Sequence, residues 1–484
     1  MSENTKNITI NGLFWNAIDR FGNQGIVTIV GIVTARILSP EDFGVIGILL
    51  IFSTVATAFI DSGLATSLVR TRVVGERDYS SMFVFNLTAS LFLYALLFFA
   101  APLIEHHNGI EHLALYARVM FLQILIHAFG IVQYVKILKN FQFQITARIN
   151  VIAIFITGII VITLAYLEYG VWPLILQPVL YAFFRTVLLW LWGDWKMDFR
   201  IHYQTLKRHL SFSLSFIASN IMGKALSPFY YSFIGSHFSI SNTGYYYQAN
   251  KWGETPNLLI SSIIQGTTLS TLTPIQDDRP RFLNACRKTM RTLAFVLFPA
   301  SFLAIAIAEP SFSFFLTETW QSSVPYFQLL CFAGLFISLG DMNVNFLNIK
   351  GRSGLSLRLE IIKWAFALVL LAFTYKHGLF AVIYGQIGLR IACFLCAAII
   401  SQGVYGYGIV KQVKDIFPAF FISLFSAAIA SIPQQFSLVS HELSLITTQS
   451  LIFVMVYIIF NQFIKNEIWL EIVELLSRKF SKSH

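Results

Sequence analysis

Long apolar stretches recur from one end of the chain to the other, and this feature limits the fold more than any other. A bilayer core needs about 20 consecutive apolar residues per helix. Windows of that kind fall at 12–36, 43–68, 81–104, 113–135, 148–167, 171–193, 211–235, 244–272, 290–308, 325–348, 355–375, 379–401, 415–432 and 444–464, fourteen in all. Within lipid every backbone polar group needs an internal partner, so such segments fold as helices. Of the 484 residues 56% are hydrophobic and 12% charged, about half the charge of a soluble domain, for which roughly 25% is usual. Soluble multidomain, disordered, collagenous and disulfide-scaffold classes are excluded. The expectation is an all-α polytopic membrane protein with about 14 transmembrane helices.

The connections test that count, because Lys and Arg concentrate in cytoplasmic loops. With the N-terminus inside, the even-numbered connections are cytoplasmic. They hold Arg70, Arg72 and Arg77, then Lys136, Lys139 and Arg148, then Lys196, Arg200, Lys207 and Arg208, and the pattern continues to Lys411 and Lys414. Odd connections instead carry Glu41, Asp42, Glu105, Glu111, Glu168, Glu309, Glu318 and Glu442, with Lys376 and the span-ending Arg36 as their cations. The alternation predicts both termini inside. The first apolar stretch is too long and too polar for a signal core, so no cleavable signal peptide is expected. The net charge of +10 is thus spread through loops that meet anionic headgroups, and no nucleic-acid partner is expected.

No P-loop and no HExxH occurs, and no connection is long enough for a catalytic domain, so the chain reads as a non-enzyme without a cofactor or metal. Cys393 and Cys396 have CxxC spacing but no second pair or His cluster; lipid-facing or packed thiols are the reading for them and for Cys331, while Cys286 is placed in a basic loop. Residues 467–480 set Ile468, Trp469, Ile472, Leu475, Leu476 and Phe480 against Glu467, Glu471, Glu474, Arg478 and Lys479, an amphipathic helix lying on the inner surface.

The hexads Ser39–Gly44 and Ser239–Gly244, at an offset of 200, each join an outward-going to an inward-going span. An even number of helices separates them, so the halves share one orientation. This points to two pseudo-symmetric six-helix lobes with a cavity between them: an N-terminal lobe over 1–193, a C-terminal lobe over 194–402, two further helices over 403–464 and a cytoplasmic tail over 465–484.

Charges inside the spans cost about 2.5–3.5 kcal/mol each on insertion scales, and so usually face a cavity or a partner. Arg20, Arg118, Arg185, Lys224, Lys251, Lys363 and Arg390 are the cations; Asp19, Asp61, Glu254, Asp341 and Glu360 are the anions. Lys224, Lys251, Arg185 and Arg390 are deep or without a neighbouring acid, apart from Glu254 three residues after Lys251, and are expected to line a hydrated, anion-attracting cavity. Arg118 and Lys363 are further candidates with structural readings beside them: Arg118 is near the outer surface, and Lys363 can neutralise Glu360. Asp19–Arg20 can be a local pair. Asp61, Glu254 and Asp341 are candidates for ion or proton coupling, although Asp61 more readily caps an Asp-Ser-Gly turn. Pro228 and Pro256 kink the helices that carry Lys224 and Lys251. Spans three, five, nine, thirteen and fourteen carry no charge away from their ends and are expected to be lipid-facing or peripheral helices.

The run Ala35-Arg36-Ile37-Leu38-Ser39-Pro40-Glu41-Asp42-Phe43-Gly44, followed by Asp61-Ser62-Gly63-Leu64, resembles the N-terminal signature of bacterial polysaccharide and O-antigen flippases. The closest similarity is to the colanic-acid exporter branch of the multidrug/oligosaccharidyl-lipid/polysaccharide exporter superfamily. That resemblance implies a transporter moving an undecaprenyl-diphosphate-linked oligosaccharide to the outer leaflet by alternating access through a cationic cavity, in contact with membrane lipids and polysaccharide polymerase or export machinery. The alternatives are a lipid-linked peptidoglycan precursor flippase and a multidrug antiporter. A membrane glycan polymerase fits less well, since it needs a polar catalytic loop.

Overall fold

The computed structural model describes residues 3–61, 68, 71, 74–200, 202–437, 439 and 441–481, and no strand occurs among them. Fourteen long helices follow one another: α1 Glu3–Ile37, α2 Pro40–Ile60, α3 Glu76–Asn108, α4 Leu113–Lys139, α5 Phe143–Tyr166, α6 Trp172–Trp192, α7 Tyr203–His237, α8 Ile240–Leu272, α9 Arg279–Ala306, α10 Val324–Ile349, α11 Ser353–Thr374, α12 Leu379–Tyr405, α13 Ile409–Ala430 and α14 Glu442–Phe463. A last helix, α15, runs Glu467–Ser481.

Each apolar window of the sequence falls on one of α1–α14, and ten segments among the described residues are both long and apolar enough to cross a membrane. The windows on α1, α7, α8 and α11 are outside those ten. These four helices hold most of the interior charges: Asp19 and Arg20, Lys224, Lys251 with Glu254, and Glu360 with Lys363. The same residues that make them functional candidates lower their apolar character.

Local chemistry sets the helix starts. Ser39 Oγ accepts the Asp42 N–H at 3.3 Å, and the Asp42 carboxylate accepts the Ser39 N–H at 2.9 Å, with Pro40 in the first turn. This capping box is the physical content of Ser-Pro-Glu-Asp. The second hexad repeats half of it, with Ser239 Oγ accepting the Asn242 N–H at 3.1 Å.

The hexads also lie against each other. A Cβ at Gly44 would sit 2.2 Å from the Ile240 carbonyl oxygen, and one at Gly244 would sit 1.8 Å from the Pro40 carbonyl oxygen. Residue 44 therefore meets 240, and 244 meets 40, while Ser241 donates to the Glu41 carboxylate. Such reciprocity at the sequence offset of 200 is what a local two-fold axis produces, and only glycine allows the approach.

The chain divides into two compact units, Met1–Gly244 and Tyr245–His484. In the first, α1 packs on α5, α2 on α7, α3 on α4, and α6 on both α4 and α5. Packing on α2 places α7 in this unit. In the second unit α9 packs on α10 and α13, α12 on α10 and α11, and α14 on α13.

The spans without a central charge divide into two kinds. On α3, Phe92, Leu96, Phe99 and Leu103 form an exposed stripe, and α14 exposes Leu451, Met455, Ile459 and Phe463, as a lipid face requires. Span nine corrects the expectation: α9 buries Phe282, Met290, Leu293 and Leu297 completely at the centre of the second unit's core. The apolar stretch after Arg291 suits a protein interior as well as lipid, and composition alone does not separate the two. Cys286 is likewise not in a loop but buried in α9, and all four thiols are free.

Helix α15 is amphipathic, as expected, and is tied to α9 as well. Lys288 bonds Glu471 at 2.8 Å, Arg291 bonds Glu467, and Ile468 is buried in the core. Beside this contact Arg287 and Arg291 converge on Asp415 of α13, which also accepts the Tyr407 hydroxyl at 3.0 Å. Burial and the adjacent Asp415 raise the Tyr407 phenol far above its ordinary value, so it stays a donor. Leu475, Leu476, Lys479 and Phe480 have side chains outside the described residues, and so do the loop cations Arg70 and Arg72.

Candidate functional site

In the first unit the interior charges gather around Arg185 of α6, which is 9% exposed. Its Nε donates to Asn150 Oδ1 at 3.0 Å, and its guanidinium lies 4.6 Å from the Tyr134 ring centroid. Asn150 Nδ2 in turn donates to both Asp19 oxygens at 3.1 and 3.2 Å, and Asn23 Nδ2 donates to Asp19 at 2.6 Å. Arg185 is thus held by a neutral amide and an aromatic face, with no carboxylate within 4.0 Å among the described residues. Bidentate guanidinium edges satisfied this way stay available to an anion. Asp19 is bound by Asn23 and Asn150, so the Asp19–Arg20 local pair is not what holds it.

Asp61 ends α2, and its carboxylate lies 2.6 Å from His127 Nε2 of α4. Ser62, Gly63 and Leu64 are outside the described residues, and with them the turn that Asp61 was expected to cap. Its side chain is committed to His127, a residue the sequence reading passed over. Arg185 and Lys224 both act electrostatically on Asp61, so α2, α4, α6 and α7 contribute to one polar region. Lys224 is exposed and has no carboxylate within 4.0 Å among the described residues.

The second unit has a different balance. Arg390 of α12 reaches Glu254 of α8 at 3.4 Å, which corrects its assignment as a cation without a neighbouring acid. The partners lie 136 residues apart, beyond any helical spacing. Lys363 and Glu360 neutralise each other at 2.5 Å, as their spacing predicts. Asp341 is exposed on α10 and interacts electrostatically with Lys363, Glu360, Arg390 and Glu254. Three carboxylates therefore share this region with two cations. Lys251 stands apart, with its ammonium 5.4 Å from the Trp252 ring centroid and no carboxylate within 4.0 Å among the described residues.

The prolines give a second view of these positions. A proline inside a helix withholds the N–H that the carbonyl four residues earlier would accept, and in a membrane another group must take its place. Pro102 frees the Phe98 carbonyl, which accepts Arg118 Nε at 3.4 Å while the Arg118 guanidinium packs 4.4 Å from the Phe98 ring. Arg118 thus supplies a donor to the carbonyl that Pro102 leaves free. Pro299 frees the Phe295 carbonyl, which accepts the Tyr457 hydroxyl at 2.9 Å. Pro178 and Pro418 free Leu174 and Lys414, within two turns of their helix starts. Pro228 and Pro256 sit deep in α7 and α8 and withhold their N–H groups from the carbonyls of Lys224 and Trp252. Each of these prolines thus follows within five residues a cation with no carboxylate within 4.0 Å among the described residues.

The pattern of proteins described as polysaccharide biosynthesis proteins matches residues 33–325, more than half of the chain. The chain belongs to that family. Within its wider kin, the succinoglycan biosynthesis transport protein ExoT of Rhizobium meliloti is 26% identical over 327 residues, 68% of this chain and 66% of that relative, just under two thirds of its length. The lipopolysaccharide biosynthesis protein WzxC of Escherichia coli is 21% identical over 361 residues, 73% of each chain. Among solved structures, the lipid II flippase MurJ in an inward closed conformation superposes with a TM-score of 0.72 at 15% identity, covering 94% of this chain and 99% of that one. The polysaccharide biosynthesis family, this shared fold and the ten apolar helices make the chain a multi-pass membrane protein. The signature at 35–44 overlaps the start of the family match.

Proposed function

We propose that this member of the polysaccharide biosynthesis family is a flippase. It moves an undecaprenyl-diphosphate-linked oligosaccharide from the cytoplasmic to the outer leaflet of the bacterial inner membrane by alternating access, and so feeds surface polysaccharide assembly. The observation that carries this reading is the set of interior cations free of carboxylates: Arg185 on Asn150 and Tyr134, Lys224, and Lys251 on Trp252. A diphosphate is a strong anion, and cations in a low-dielectric setting offset its loss of water. Arg390 and Lys363 are already paired, so their part is to fix the second unit's polar region, with Glu254 and Asp341 as candidates for coupling to an ion or proton. The His127–Asp61 contact makes Asp61 another candidate for coupling.

Both termini inside, as the loop charges predict, place α15 on the cytoplasmic face, where a polymerase or other export component can meet it. A multidrug antiporter for cationic drugs would favour unpaired carboxylates over unpaired cations. Deleting the gene and complementing it with Lys224→Glu, Lys251→Glu or Arg185→Glu tests the proposal. Accumulation of a lipid-linked oligosaccharide on the inner leaflet is expected in each case, and full export by all three reversals would refute it.

A further inference from the structure

One face of α8 carries polar groups that nothing among the described residues satisfies. Gln248 is fully buried, and neither its amide oxygen nor its amide nitrogen has a hydrogen-bond partner among those residues. The indole N–H of Trp252 is also buried and unbonded. Lys251 lies over the Trp252 ring and lacks a carboxylate among the described residues. Positions 248, 251 and 252 are spaced i, i+3 and i+4, which puts them on one side of a helix. Pro256 adds a fourth element by withholding its N–H from the Trp252 carbonyl.

Buried polar groups in native proteins are nearly always paired, and a cluster that is not needs a cause. Here one and a half turns offer amide and indole donors, amide and backbone acceptors, an ammonium and a broad ring. A pyranose has the matching surface, with an apolar C–H face for the ring and a rim of hydroxyls that donate and accept at once. A phosphate on its anomeric carbon would fall to the ammonium. The Gln248 amide and the Trp252 indole nitrogen are sealed from water while Lys251 and the Trp252 ring are half-buried, so the face receives its ligand in a conformation that opens it further.

We propose that Gln248, Trp252 and the Trp252 carbonyl form a glycan subsite holding the sugar next to the diphosphate, with Lys251 at the phosphate side. The inference rests on the flippase reading and adds the carbohydrate contact to it. The test compares the affinity of the purified full chain in nanodiscs for undecaprenyl diphosphate with that for the same lipid carrying one N-acetylhexosamine or hexose. Wild type is expected to bind the sugar-bearing lipid more tightly. Gln248→Leu and Trp252→Leu should each reduce that preference about tenfold, the cost of one or two lost hydrogen bonds or a lost stack. Trp252→Phe, which keeps a ring, should retain more of it than Trp252→Leu. A wild-type preference that survives both leucine variants overturns the subsite alone. A wild type that distinguishes no undecaprenyl diphosphate from undecaprenol overturns the flippase reading as well.

Discussion

Replacing Gly244 with alanine tests the paired hexads most sharply. The new Cβ would start 1.8 Å from the Pro40 carbonyl oxygen and 2.7 Å from its carbon, where ordinary contact begins at 3.4 Å. The opposing atoms are backbone, so no side chain can swing aside, and the two segments must part by well over 1 Å. Overpacking of this kind costs typically 1–3 kcal/mol, and a backbone clash belongs at the upper end. At roughly 2–4 °C per kcal/mol for a unit of this size, the apparent Tm should fall by about 6–10 °C. Gly44→Ala should behave alike, because its Cβ would start 2.2 Å from the Ile240 carbonyl oxygen. One separation relieves both clashes, so the double variant should cost little more than the worse single one, a coupling of about 2 kcal/mol. Gly25→Ala, with nothing within 4 Å of its Cβ, is the control and should not lower the Tm. Thermal unfolding of the detergent-purified chain, followed by tryptophan fluorescence, gives all four values. Full additivity of the two singles, or a Tm loss no greater than that of the control, would refute the reciprocal contact.

Two further outcomes follow from the interior contacts. Arg118→Met should destabilise the chain by about 1–3 kcal/mol, the cost of an unsatisfied buried carbonyl, and adding Pro102→Ala should recover most of it by returning an N–H to Phe98; thermal unfolding of the single and double variants decides. Asn150→Leu removes the amide joining Arg185 to Asp19 and should lower export about tenfold or more in a complementation assay, while Asn150→Gln retains part of it; equal export by all three would remove Asn150 from the site.

Much of this was legible in the chain. Apolar windows located the long helices because lipid leaves the backbone no other solution. Ser39 and Asp42 announced the start of α2, and the hexad offset of 200 reappeared as a physical contact. Local spacing predicted the Glu360–Lys363 pair correctly. The sequence could not pair Arg390 with Glu254 or seat Arg185 on Asn150, since each contact joins separate helices. Asn150 and His127 went unremarked because a neutral amide and a single histidine give no signal until a charge is found beside them. The burial of α9 was hidden for a related reason: the apolar stretch that follows its basic first half looks the same whether it meets lipid or protein. Arg118 had one available clue, Pro102, whose freed carbonyl required a donor from a neighbouring helix.

The central claim is that carboxylate-free interior cations recognise a lipid-linked diphosphate. Its most direct test is the affinity of the purified chain in nanodiscs for undecaprenyl diphosphate against uncharged undecaprenol, measured for wild type and for Lys224→Gln, Lys251→Gln and Arg185→Gln. The account predicts tight, salt-sensitive binding of the diphosphate by wild type, weakened about tenfold or more by each substitution, with undecaprenol binding unchanged. Equal affinity for both lipids, or diphosphate binding unaltered in all three variants, would contradict it.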